Sequence, residues 1–299
     1  MQNAGLQAKE SNLDINPDSA SEGHWSGLPI WGVKAAERGF KLPSPMGVGI
    51  YFNDQIVPYT ATSDFELKAT GGLLDGSDVY LPQDDVTIEG RDQSFQVRAD
   101  VWLFPFLNVY GLVGYTQGNK DIVAQTANVV IPGKPILEGL LRNAGSITVP
   151  IEYEAVNVGV GGVIAGQVDP FDWHPFIITG VGAFAVAKTT ATDNQIYTTI
   201  GALKVGQRYE VPGGKLAGLL RVTYQRVNQD MTGSYSFTGT SLAPLMESVQ
   251  YDVSLQSAET VNMAATLMYD FGETEDWSVL AEYGFLNWKQ LTLGLTRRF

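Results

Sequence analysis

The two histidines of the chain are the first candidates for acid–base chemistry. His24 lies in a polar N-terminal stretch, and His174 follows the short turn at Asp169–Asp172. Hydrolysis that depends on histidine needs the imidazole beside a serine or carboxylate on a well-positioned element. Neither position fits this requirement. The chain has no cysteine, so cysteine nucleophiles, disulfides and cysteine-ligated metals are excluded, and neither a metal nor a cofactor is predicted.

Two carboxylates are spaced for a different kind of hydrolysis. Glu152 and Glu154 are two residues apart in an extended run, so their side chains share one strand face about 7 Å apart. Paired carboxylates hydrolyse glycosidic bonds when one of them is held protonated. The sequence favours a simpler role, in which both carboxylates pair with inward-facing arginine and lysine side chains of a narrow barrel.

Two glycine-rich segments resemble nucleotide-binding motifs only superficially. The run Gly180–Ala185 matches the loose pattern GxGxxA, but polar residues follow where a helix would have to begin. The segment Gly213–Leu216 lacks the serine or threonine of a phosphate-binding loop and is typical of a turn. Nucleotide binding is therefore not predicted.

Composition narrows the possible partners and the fold class. The 299 residues carry a formal net charge of −13, which argues against nucleic-acid binding because phosphate neutralisation needs clustered lysine and arginine. No run approaches the roughly 18 consecutive apolar residues of a transmembrane helix. The 33 glycines, 13 tyrosines and 13 phenylalanines favour strands and turns over helices.

Hydrophobic residues recur at every second position from Met46 to the C-terminus. Phe95, Val97, Ala99 and Val101 alternate with polar residues, for example. Such runs predict about ten strands, near 46–60, 94–104, 107–118, 148–166, 175–188, 199–211, 215–229, 259–271, 276–286 and 289–299. Long and short connections alternate between them, which predicts an all-β, antiparallel up-and-down transmembrane barrel with its long loops at one end. Twelve strands is the alternative, if a long loop hides a hairpin such as Val249–Leu255.

The N-terminal part of the chain has a different character. Residues 1–28 are polar and predict a flexible periplasmic tail, and residues 29–45 predict a short helix with a linker that plugs the lumen. Residues 46–299 form the predicted barrel. The N-terminus carries no signal-peptide pattern, which suggests a mature sequence whose leader has been removed.

The polar residues of the alternating runs predict the lining of the lumen. They are Gln96, Arg98, Asp100, Glu152, Glu154, Lys204, Arg208, Arg221, Gln225, Asn262, Glu282 and Arg298.

The strands and the C-terminus resemble Gram-negative outer-membrane β-barrel proteins. Leu291, Leu293, Leu295 and the terminal Phe299 are similar to the C-terminal signal by which such barrels are recognised for assembly, although Arg297 replaces the usual apolar residue. More narrowly, the segment Trp102–Tyr115 resembles a poorly characterised proteobacterial outer-membrane family. The resemblance implies an outer-membrane location, contact with lipid and lipopolysaccharide, and recognition by the barrel-assembly machinery.

Three functions follow as hypotheses. The leading one is a non-enzymatic barrel, either a narrow passive channel for small solutes or a structural and surface-interaction protein. The second is an outer-membrane hydrolase acting through rim carboxylates. The third is a soluble ligand-binding β-barrel, in which the same alternation faces a dry core.

Overall fold

Thirteen antiparallel strand segments of the described chain form one sheet that closes on itself. The structure is a computed structural model and describes residues 27–38, 42–169, 174–190, 192, 194–272 and 275–299. The segments are β1 (Met46–Ala61), β2 (Phe65–Thr70), β3 (Asp78–Leu81), β4 (Val86–Phe104), β5 (Leu107–Gln125), β6 (Ser146–Val168), β7 (Phe176–Thr189), β8 (Gln195–Val211), β9 (Gly214–Ser236), β10 (Ser248–Ser257), β11 (Val261–Phe271), β12 (Trp277–Gly284) and β13 (Lys289–Arg298).

These segments make a barrel wall of ten long strands, three of them interrupted. β1 and β2 are two parts of one strand, because both pair with β10. β3 pairs with β2 and β4 pairs with β1, so β3 and β4 form the next strand. β10 and β11 form a third interrupted strand, because both pair with β9. The ring closes where β13 pairs with β1, from Gly47 opposite Arg298 to Ile56 opposite Lys289, and where β9 pairs with β11. The predicted barrel of about ten strands is confirmed.

Two helices accompany the sheet in the described residues. The first, α1 (Gly32–Ala36), lies within the predicted N-terminal helix but is shorter, and the second, α2 (Pro135–Arg142), was not predicted. Neither helix is long and apolar enough to cross a bilayer. The predicted tail, residues 1–28, lies almost wholly outside the described residues.

Helix α1 lies on the rim of the barrel at the end that carries the short turns. The backbone N–H of Ile30 donates to the carbonyl of Leu103 (2.8 Å), and the Trp31 and Phe104 ring centroids are 5.0 Å apart. No residue of α1 is buried. The prediction of a lumen plug therefore does not describe this helix, because a helix inside a barrel would be enclosed by the wall.

The apolar face of each long strand changes side part-way along. In β6, Ile147, Val149 and Ile151 are buried inside, whereas Val158 and Val160 are exposed on the outside. The outward apolar residues form one continuous band, the belt: Val48, Ile50, Phe52, Phe95, Val97, Val113, Tyr115, Val156, Val158, Val160, Ile164, Phe184, Tyr197, Leu203, Val205, Leu220, Val222, Tyr224, Val261, Leu267, Val279, Tyr283, Leu291 and Leu293. On β6 the belt runs from 156 to 164, a length that suits the roughly 9 residues a tilted strand needs to cross hydrocarbon.

Beyond the belt, the barrel continues as a packed cap. The cap comprises the described residues within 54–94, 116–155, 188–196, 225–260 and 286–290. Its inward side chains form a single apolar cluster drawn from strands all round the ring, including Val57, Ile88, Ile122, Ile147 and Met231. The outward side chains of its strands are mostly polar, although Leu73, Val130, Ile136 and Leu140 are exposed in its connections. An apolar interior with a mostly polar exterior is the arrangement of a soluble sheet protein.

The change of face predicts that an arginine introduced on the outside of β6 destabilises the barrel at a belt position but not at a cap position. Val160→Arg places a charge in the middle of the belt and should destabilise the barrel in lipid vesicles by about 2 to 4 kcal/mol. Glu152→Arg, on the same outer face but in the cap, should change stability by less than about 0.5 kcal/mol. Urea unfolding of both variants measures the difference. Equal effects would contradict the boundary at residue 155.

Candidate functional site: the charged lumen and the cap

Ion pairs lie in the lumen at the level of the belt. Glu282 is the centre of the first group: it accepts hydrogen bonds from Lys204 Nζ (2.7 Å), from Thr266 Oγ1 (2.7 Å) and from Arg221 Nη1. The Glu282 side chain is only 3% exposed. Two half-buried cations on β8 and β9 are thus tied to a buried carboxylate on β12.

A second group of charges lies nearer the rim. Asp100 accepts hydrogen bonds from Asn108 Nδ2 (2.5 Å) and Arg298 Nη2 (2.9 Å), and Arg98 donates to Asn108 Oδ1 (3.1 Å). On the opposite wall, Arg208 donates to Asp270 (2.6 Å). Arg298–Asp100 and Arg208–Asp270 each join strands that are separated in the wall by one other strand, β1 or β9. Asn108 links Arg98 and Asp100 across the neighbouring strands β4 and β5.

Aromatic side chains occupy space between the charges. The Arg98 guanidinium lies 3.7 Å from the centroid of the Tyr110 ring. Tyr110 lies against Gly161, where a Cβ atom would collide with the phenol. Tyr51 likewise lies over Gly49, where a Cβ would be 2.9 Å from its ring. These inward glycines leave room for large side chains.

Ten of the twelve residues predicted to line the lumen lie on the inward face of the ring. These are Gln96, Arg98, Asp100, Lys204, Arg208, Arg221, Gln225, Asn262, Glu282 and Arg298, all buried or half-buried on the inward register of their strands. Asn262 has a specific structural role, because its Oδ1 accepts the backbone N–H groups of Leu286 and Asn287 (both 3.0 Å) and so fixes the β12–β13 turn.

Glu152 and Glu154 were placed on the wrong face by the sequence reasoning. Both lie in the cap, where the inward positions of β6 are Ile151 and Tyr153. Both carboxylates are exposed on the outside of the wall, far from Arg98 and Arg221 along the strands. The predicted pairing with luminal cations is therefore wrong for these two residues.

The residues of the predicted assembly signal lie on the outer face of β13. Leu291 and Leu293 are exposed in the belt, and Phe299 is 56% exposed at the rim. Leu295 lies between them on the same face. The departure at Arg297 has a local partner, because its guanidinium lies 5.2 Å from the Trp277 ring centroid and 3.7 Å from Asp276.

Between the charged lumen and the apolar cap lies a buried cation that the sequence analysis missed. Lys120 is 1% exposed, donates to Tyr153 Oη (2.9 Å) and lies 5.0 Å from the Tyr59 ring centroid. The Tyr153 hydroxyl donates in turn to Asp92. Burial lowers the pKa of Lys120 to about 8, against the opposing effect of Asp92, and raises the pKa of Tyr153. A lysine on the same strand face as Ile122 and Ala124 was the available signal.

The cap is open on one side. Residues 146–153 of β6 pair with β5 alone within the described chain, and residues 229–236 of β9 pair with β10 alone. Between these two strand edges, above the β7–β8 connection, lies a notch of about 470 Å³, lined by Glu152, Thr190, Thr232 and Tyr251 among others. Pro150 lies in the free edge of β6, where it removes one backbone donor.

The cap surface is acidic. Exposed carboxylates outnumber exposed cations: Asp64, Glu66, Asp75, Asp78, Asp84, Glu89, Asp121, Glu152, Glu154, Asp230, Glu247 and Asp252 against Lys68, Arg91, Arg142, Lys188, Arg226 and Lys289.

Comparison with known proteins gives a likeness of architecture only. No family model matches the chain, and no curated protein matches it. The translocator domain of the autotransporter NalP from Neisseria meningitidis is 12% identical, with 89% of this chain and 93% of that chain covered and a TM-score of 0.39. The β domain of the Bordetella autotransporter BrkA is 9% identical, with coverage of 85% and 100% and a TM-score of 0.42. The Pseudomonas putida toluene transporter TodX is 11% identical, with coverage of 86% and 91% and a TM-score of 0.31. Identities and superpositions this low give no information on function.

Removal of the Glu282 carboxylate should unfold the belt-level barrel more easily. Glu282→Gln leaves the half-buried Lys204 and Arg221 without their counter-charge. Loss of one partner from a fully buried ion pair costs about 3 to 5 kcal/mol, which sets the upper bound of the effect. Urea unfolding in lipid vesicles measures this loss. Glu152→Gln, which removes an exposed carboxylate, is the control and should change stability by less than about 0.5 kcal/mol. Equal stability of the two variants would contradict the role of Glu282.

Lys120 should make the stability of the cap depend on pH. Because its folded pKa of about 8 is below the usual lysine value of 10.5, the unfolded chain binds more protons between these pH values. Stability should therefore rise from pH 8 to pH 10.5, by about 3 kcal/mol from this residue. Urea titrations across this range should show the rise in the wild type and its loss in Lys120→Met. An identical rise in the variant would exclude Lys120 as the cause.

Proposed function

We propose that this chain is a non-enzymatic outer-membrane β-barrel with a closed lumen, which presents its packed acidic cap for interactions at the cell surface. The observation that carries the proposal is the change of apolar face along the strands. The exposed belt suits hydrocarbon, because a closed ring leaves no unpaired strand edge at that level. The cap, with a dry core and a charged exterior, suits water.

The location of the two ends supports this orientation. Short turns and the C-terminal residue lie at the α1 end of the barrel, and the long connections form the cap at the other end. Outer-membrane barrels have short periplasmic turns and longer extracellular loops. The cap therefore faces outside, and the outward side chains of Leu291, Leu293, Leu295 and Phe299 are available to the barrel-assembly machinery during insertion.

Surface interaction is favoured over passive transport because two different seals lie in series. Ion pairs around Glu282 and Asp100 occupy the lumen at belt level, and the apolar core of the cap fills the ring above them. A hydrated solute path would have to break both. Lipid and lipopolysaccharide are the proposed neighbours of the belt and of the cap margin.

The hydrolase hypothesis has no geometric support. Glu152 and Glu154 are both exposed on the outer face of the wall, outside any enclosed site that could hold a substrate. The narrower family resemblance carried by Trp102–Tyr115 stays a prediction, since no family model matches the chain.

Recording from planar bilayers tests the closed lumen. After insertion has been verified by protease protection of the strands, the wild-type barrel should give no discrete current steps. Arg98→Ala with Arg221→Ala should also stay silent, because the cap core remains intact above the altered lumen. Regular current steps from the wild type would overturn the closed-lumen proposal and favour the channel.

A further inference from the structure

A groove between α1 and the barrel rim combines apolar walls with two cations. Its volume is about 420 Å³, within the range of sites that hold small ligands. Trp31, Leu42 and Phe106 supply apolar surface, and Lys34 and Arg38 lie along one side. The floor is formed by small residues at the end of β6, Ala165 and Gly166.

The small floor residues are what keep the groove open. Gly166 has open space where a side chain would project, since no atom lies within 4 Å of an added Cβ. Ala165 is held at the rim by a hydrogen bond from its backbone N–H to the carbonyl of Phe106 (2.9 Å). A larger residue at 166 would occupy the groove without disturbing the strand.

The two cations have no carboxylate partner among the described residues. Lys34 and Arg38 are exposed and make no ion pair or side-chain hydrogen bond with any described residue, although Glu37 lies between them in sequence. Both belong to the segment that α1 holds against the β4–β5 turn. The charged side of the groove is thus free to meet an anion.

The position of the groove indicates which kind of anion would bind there. It adjoins Ile164, a 60% exposed residue at the lower margin of the belt, and Phe106, which is 45% exposed. Aromatic residues mark this margin elsewhere on the ring, at Tyr209 and Phe299. The apolar floor therefore continues into the hydrocarbon-facing surface, while the cations lie at the level of lipid headgroups.

We infer that this groove binds one glycerophospholipid of the periplasmic leaflet, with its phosphate on Lys34 and Arg38 and an acyl chain running along Phe106 and Ile164. The inference rests on the proposed function, because the groove meets a leaflet only if the belt spans the membrane. Charge-assisted contacts to phosphate supply the affinity, and the apolar walls select a lipid over free phosphate. Lipopolysaccharide is not the ligand, since it belongs to the leaflet at the cap end.

Native mass spectrometry of the full chain in non-ionic detergent, titrated with phosphatidylglycerol, tests this inference. The wild type should retain one lipid, and Lys34→Gln with Arg38→Gln should weaken its binding about tenfold or more. Gly166→Leu should weaken binding to a similar extent without a change of charge. Lys68→Gln with Arg226→Gln, which removes two exposed cations from the cap, is the matched control and should bind as the wild type does.

The possible outcomes distinguish a failure of the lipid-site inference from a failure of the proposed membrane placement. Equal lipid binding by the Lys34/Arg38 variant and the control would overturn the groove. Displacement of the lipid by millimolar inorganic phosphate would also overturn it, since the site would then be a phosphate site alone. Insertion into vesicles is measured in parallel: a wild type that fails to insert removes the proposed function, whereas normal insertion with unselective lipid binding removes only this inference.

Discussion

The ladder between β13 and β1 is the contact on which the rest of the molecule depends. It joins the last strand to the first over ten residue pairs, from Gly47–Arg298 to Ile56–Lys289, and converts an open sheet into a ring. Without it, both strands would present unpaired backbone groups at the level of the belt, where each unsatisfied group costs several kcal/mol in hydrocarbon. The belt, the cross-linked lumen and the cap each require that the ring be closed first.

Closure of the ring also explains how the polarity of the inner and outer faces can reverse part-way along the same strands. On β6, the wall from residue 156 onward separates hydrocarbon from a polar lumen, whereas the wall up to residue 155 separates water from an apolar core. The charges of the lumen are tolerable because its carboxylates are paired: Glu282 receives donors from Lys204, Arg221 and Thr266, and Asp100 from Asn108 and Arg298. Lys120 lies at the junction, where neither environment suits it fully, and Tyr59, Tyr153 and Asp92 compensate in part.

The sequence was sufficient for the barrel and for most of the lumen, because alternation reports which residues share a face. It could not report which face is inside, since the period is two in both halves of a strand. For that reason Arg98 and Glu282 lie on the inner face that the alternation predicted for them, whereas Glu152 and Glu154 lie on the outer face. On β6 the apolar residues are on the inner face up to Ala155 and on the outer face from Val156 onward. The short segments β2, β3 and α2 gain their order from packing onto the cap core, a tertiary effect that short runs of sequence do not reveal. No signal in the sequence marks Lys34 and Arg38, because only the contact of α1 with the rim brings them beside Phe106.

The free edge of β6 has a consequence for many copies in one membrane. Strand edges on neighbouring barrels could join to form a continuous intermolecular sheet, which is the first step of irreversible clustering at high surface density. Pro150 withholds a donor in the middle of that edge, and the carboxylates of Glu152, Glu154 and Asp230 give both sides of the notch the same charge. Crowded copies would therefore repel one another at the notch, and the cap can stay partly open without turning the cell surface into an aggregate.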